Sequence, residues 1–78
     1  MLHVEFTIEP FVEGQPGPHV LAAVAAVEAH GINVEFGLFA TEFDADELIA
    51  AIAVSDLVRD AYAHGATHVT LHMEKVEP

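Results

Sequence analysis

The chain opens on strict alternation. Over residues 3–9, Val4, Phe6 and Ile8 fall on one side and His3, Glu5, Thr7 and Glu9 on the other, the period of a strand with one buried face. Pro10 ends it, and Glu13-Gly14-Gln15-Pro16-Gly17-Pro18 is a turn-rich loop whose last proline suits the first position of a helix. That helix is predicted over residues 18–30, with Val20, Ala23, Val24 and Val27 as its apolar stripe and Gly31 where a left-handed cap places glycine. Alternation resumes over residues 32–39, with Ile32, Val34, Phe36 and Leu38 predicted inside and Asn33, Glu35, Gly37 and Phe39 opposite. A short third strand over residues 40–43 follows so closely that the two are expected to make a hairpin with an irregular or bulged turn. Asp44 or Asp46 then caps a second helix, with Glu47 in its first turn, that runs to His64 and stops at Gly65. The last strand covers residues 67–75, with Val69, Leu71 and Met73 inside and His68, Thr70, His72 and Glu74 outside.

The order strand, helix, strand, strand, helix, strand predicts an α+β, ferredoxin-like split βαβ sandwich: a four-stranded antiparallel sheet with two helices on one face. Ala29-His30-Gly31 leading to Val34, and Ala63-His64-Gly65 leading to Val69, form a weak internal repeat that duplicated βαβ halves would leave. A chain of 78 residues makes a single domain, 1–78, with a small core. The second helix carries Ala50, Val54, Leu57, Val58 and Ala61 on one stripe and leaves Leu48 and Ile52 near the other side. Either those two face a partner or the helix breaks near Ser55-Asp56; self-association is the expectation, because the second strand is also an apolar edge.

Charge narrows the partners. Thirteen Asp and Glu stand against Arg59 and Lys75, a formal net charge of -11. Two cations cannot neutralise a phosphate backbone or hold an anionic bilayer, so neither nucleic acid nor membrane is expected as a partner. The acidic surface biases instead toward cationic or neutral small molecules. Cysteine is absent, the start of the chain lacks the pattern of an export signal, and the longest apolar run, residues 20–27, falls far short of a membrane span. A cytoplasmic protein is the expectation.

Nothing in the chain assembles a nucleophile. There is no cysteine, the only serine is Ser55 inside a predicted helix, and the only lysine is Lys75 near the end, so no enzyme is expected. Gly14-Gln15-Pro16-Gly17 lacks the Lys-Ser or Lys-Thr of a phosphate loop. His30 and His64 stand beside helix-ending glycines and are read as donors at helix C-termini. His3, His68 and His72 share the outer face with Glu5, a donor set that a transition metal accepts, although an outward polar face arises from alternation alone and no metal is assigned. Glu35, Phe39, Thr41 and Phe43 are predicted on that same face. Carboxylates, hydroxyls and rings are what would hold a flat, cationic heteroaromatic.

The segments Val4-Glu5-Phe6-Thr7-Ile8-Glu9-Pro10, Glu13-Gly14, Gly31, Gly37-Leu38-Phe39-Ala40-Thr41 and Gly65-Ala66-Thr67-His68-Val69 together resemble the YkoF-type thiamine-binding protein family, over nearly the whole chain. The resemblance implies a ferredoxin-like fold, assembly into homodimers or homotetramers of packed sheets, and, in some members, binding of thiamine without transforming it. Thr41 matches the threonine closing the family's second-strand motif; Asp44-Ala45-Asp46 stands where Glu-Gly-Asp is usual, and His68 where arginine is common. The expected ligand-binding residues are Glu5, Thr7, Glu35, Phe39, Thr41, Phe43 and Asp44. Thr41 and Glu5 would hydrogen-bond an aminopyrimidine, Phe39 or Phe43 would stack on a ring, and Asp44 or Glu35 would balance the thiazolium. No cofactor is expected beyond thiamine as a ligand. The alternative is a structural or regulatory oligomerisation module whose open sheet face is its subunit interface.

Overall fold

In the computed structural model, which describes residues 1–11, 14, 16–37 and 40–77, the elements are β1 (Leu2–Glu9), α1 (Pro18–Glu28), β2 (Glu35–Phe36), β3 (Thr41–Ala45), α2 (Glu47–Ala63) and β4 (His68–Lys75). The sheet order β2-β3-β1-β4, with every pairing antiparallel, is that of the ferredoxin-like α+β sandwich.

Strand β1 is the axis of the fold. Val4, Phe6 and Ile8 are buried under the helices, while the odd-numbered residues point to the uncovered face, as the alternation predicts. Helix α2 packs on β1 and β3 and beside α1, burying Ala50, Ala53, Leu57 and Ala61. These small residues let the helices sit close to the sheet, and Leu57 fills the space between them. Asp46 is the N-cap, its side chain accepting from the Ile49 N–H at 3.0 Å; that resolves the choice between Asp44 and Asp46, since a cap oxygen must reach the N2 or N3 amide. Gly65 ends α2 at φ +108, a conformation side-chain-bearing residues rarely adopt.

Three readings are decided here, two of them as corrections. The second strand is shorter than residues 32–39: among the described residues only Glu35 and Phe36 pair with β3. Ile32, 9% exposed, turns inward to the core instead of extending the ladder, and Glu35 lies directly opposite Glu42, a like-charge pairing that disfavours ladder growth. Phe36 is 60% exposed; it points to the helix side, opposite Thr41, but β2 lies at the sheet edge, beyond the strands on which α2 rests. Second, of the two alternatives for Leu48 and Ile52 the helix break falls away: α2 continues through Ser55-Asp56, and both residues are solvent-exposed on an intact helix.

The third reading, a correction, concerns β3. Its pairing sets Thr41 opposite Phe6 and Phe43 opposite Val4, so both residues point to the helices and not to the open face. Phe43 is 3% exposed and meets Phe6 edge-to-face, with ring centroids 6.3 Å apart. The cause is the hairpin closure: Gly37 donates to the Ala40 carbonyl at 2.8 Å, and where that closure falls fixes the phase of β3. A side chain at Gly37 would place its β carbon 2.7 Å from the Ala40 oxygen, so glycine is required for the closure.

Candidate functional site

The open face of the sheet carries no lysine and no arginine. Lys75 bonds Glu47 at 3.0 Å on the helix side, and Arg59 lies on α2 against Asp56 and Asp60. By register the open face holds Glu5, Glu9, Glu35, Glu42, Asp44 and Glu74, answered only by His3, His68 and His72. One row crosses the sheet as His72, Glu5, Glu42 and Glu35, each opposite the next. Glu42, unnamed by the sequence reading, is its centre.

His3 stands over this row. Its Nδ1–H donates to Asp44 Oδ1 at 2.6 Å, and its Nε2 lies 3.2 Å from Glu5 Oε1 and 3.8 Å from Glu42 Oε2. The Asp44 hydrogen bond, reinforced by Glu5 and the nearby charges, raises the His3 pKa above its ordinary 6.5 against the opposing effect of burial. Because carboxylates only accept, a ring with one on each nitrogen needs either a second proton or another cation to satisfy both.

Beside His3 the sheet edge opens into a cleft of about 480 Å³. It exists because β2 stops early: past Glu42 the outer edge of β3 lacks a partner strand, and the cleft fills that gap up to the connection from α1. Its walls include His3, Glu35, Glu42, Asp44 and Asp46, with His30, Ile32, Phe43 and Ile49. His30 is held there by its Nε2 contact with Asp56 at 2.7 Å.

The structure divides the residues expected at the site. Glu35, Asp44 and Phe43 line the cleft, the last as part of the core. Glu5 sits next to it, in contact with His3. Thr7 and Thr41 line a different, smaller pocket of about 180 Å³ with Phe6, Phe11 and Val20 and neither lines the cleft; Thr41 faces the helices, and Thr7 stays on the open face opposite Thr70. Phe39 lies outside the described residues, as do Leu38 and Glu13. The triad His3, His68 and His72 is not assembled either: His3 pairs with Glu74 near one end of β1 and His68 with Glu9 at the other, about 20 Å apart at strand rise. His64 donates through Nδ1–H to the Asp60 carbonyl at 2.8 Å, the helix-end role read from sequence. His19, 4% exposed, donates to the Pro10 carbonyl at 2.6 Å and ties the loop to α1; its polar identity among apolar neighbours was the available signal.

No protein-family model matches the chain, and no curated protein matches it. Among solved structures it is similar to a domain of unknown function, DUF77, from Bacillus cereus, at 18% identity and a TM-score of 0.67, over 94% of this chain and 71% of that one. That likeness establishes a shared fold. Among the described residues no helix is long and apolar enough to cross a membrane.

Proposed function

We propose that this chain reversibly binds a small cationic heteroaromatic of the thiamine type, without transforming it, as a homo-oligomer in the cytoplasm. The observation that carries the reading is the cleft of about 480 Å³ walled by Glu35, Glu42, Asp44 and Asp46 on a sheet face without Lys or Arg. Its volume falls within the roughly 300–1,000 Å³ of small-molecule sites, and its charge selects a cation over an anion. The resemblance to YkoF-type proteins points the same way, and the fold it implies is the fold found. Within the cleft, Glu35 and Asp44 balance the positive ring, His3 and Glu42 hydrogen-bond an amino-substituted ring, and Phe43 forms apolar wall from the core. Thr7 and Thr41 fall outside this constellation.

Isothermal titration with thiamine, its phosphates and the free pyrimidine tests the reading. Micromolar or tighter binding of thiamine is expected, with phosphates weakened by the acidic walls, and Glu35→Gln with Asp44→Asn should cost at least tenfold, about 1.4 kcal/mol. Absence of heat from every compound would leave the assembly reading. One observation favours self-association, on the helix side and not on the open sheet face: Leu48 (71% exposed) and Ile52 (45%) are neighbours one turn apart on the outer side of α2, an apolar surface suited to a second copy.

A further inference from the structure

We propose that His3, Glu5 and Glu42 form a binding site for a divalent transition metal of the zinc type on the open sheet face. The site does not rest on the binding of any organic ligand. One donor atom from each residue lies within 4.8 Å of the other two, and His3 Nε2 is 3.2 Å from the nearest Glu5 oxygen and 3.8 Å from that of Glu42. Two donors held 2.0–2.2 Å from a tetrahedral zinc stand about 3.3–3.6 Å apart. The apo geometry therefore needs only small side-chain adjustments to close around the ion.

Three features separate this trio from ordinary surface acids. The ring of His3 is oriented from behind, its Nδ1–H fixed on Asp44 at 2.6 Å, the outer-sphere carboxylate that aims a metal-binding imidazole. All three ligands rise from paired strands, with Glu5 and Glu42 directly opposite, so the backbone holds their spacing. No lysine or arginine reaches them: the chain's two are engaged with Glu47, Asp56 and Asp60 elsewhere. One imidazole and two carboxylates suit Zn²⁺, Co²⁺ or Ni²⁺ rather than Ca²⁺, which takes oxygen donors alone. Three protein donors leave coordination positions for water, or for a molecule in the adjoining cleft that His3 and Glu42 also line.

The test is titration of this chain, stripped with chelator, with Zn²⁺ alone, by calorimetry and thermal unfolding, and with Co²⁺ by visible absorption. One ion per chain is expected, with a melting temperature that climbs with free zinc. Glu5→Gln and His3→Gln should each weaken binding at least tenfold, while His68→Ala, on β4 opposite the far end of β1, leaves it unchanged. Glu42→Gln, which removes charge repulsion and so keeps the fold, should lose zinc affinity equally. Absence of saturable binding, or full affinity in both Glu5→Gln and Glu42→Gln, would overturn the site. Thiamine titrated in excess chelator reads the organic ligand separately, so the two readings fail independently.

Discussion

Glu42 stands between two carboxylates, and that makes it the most informative residue to neutralise. Glu5 faces it from β1 and Glu35 from β2. Directly opposed like charges on a sheet cost about 0.2–1 kcal/mol per pair, so Glu42→Gln removes two such costs, about 0.4–2 kcal/mol together. Against this stands the His3–Glu42 contact at 3.8 Å; half-exposed pairs of this kind contribute about 0–1 kcal/mol. That contact depends on pH with a definite sign. The folded pKa of His3 is raised above 6.5, so stabilisation from its ion pairs is full below 6.5 and is lost as pH climbs through the raised value. On the alkaline side the repulsion is uncovered. There Glu42→Gln should stabilise the metal-free protein by about 1 kcal/mol, or about 4–8 °C in melting temperature for a domain this small.

The assay is thermal unfolding by circular dichroism in chelator at low ionic strength, repeated at high salt. Screening lengths fall to about 3 Å at 1 M salt, so the gain should shrink there. Glu28→Gln, on the exposed surface of α1, serves as control and should stay within about 0.5 kcal/mol of the parent. A melting temperature unchanged or lowered in Glu42→Gln at alkaline pH and low salt would refute the reasoning: the glutamate row would carry no strain for a cation to relieve.

Two further outcomes test the fold beneath the site. Phe43→Ala should cost about 3–5 kcal/mol in urea unfolding as a buried ring lost to a cavity, a large share of the about 4–12 kcal/mol that 78 residues provide; if it acted only as a ligand-stacking ring, stability would hold and only thiamine affinity would drop. Asp46→Ala should remove the N-cap of α2 at a cost of about 0.5–2 kcal/mol, whereas Asp44→Ala should leave amide-exchange protection in the first turn of α2 intact.

Most of the architecture was legible because its determinants are local. Alternation in β1, Pro18 opening α1, Asp46 capping α2 and Gly65 closing it each state their element within a few residues. The phase of β3 was harder because it depends on the hairpin tip, and Gly37-Leu38-Phe39-Ala40 lacks the Asn-Gly or Asp-Gly pattern that announces a turn type. A slip of one residue exchanges the faces of a strand. Such a slip brings Phe43 and Thr41 to the open face and hides Glu42 from it. The segment's own alternation held the answer: Phe43 and Ala45 are buried, with Glu42 and Asp44 on the opposite face. Burial at the edges was illegible for another reason. Phe36 and Met73 point to the helix side as the pattern demands, yet remain 60% and 40% exposed, because two helices cannot roof four strands to their margins.

The partition of charge across the sheet bears directly on assembly. Stacking two identical open faces would confront six carboxylates on each side with three imidazoles on each and no lysine or arginine. Desolvating carboxylates without cations is costly, so this face is ill-suited to self-packing while its acids are unneutralised. The exposed Leu48 and Ile52 of α2 carry no such cost, and burying them gains apolar transfer energy. The chemistry of the molecule is therefore divided by face: the helix layer exposes Leu48 and Ile52, and the bare sheet gathers carboxylates whose mutual repulsion opposes pairing with a like face.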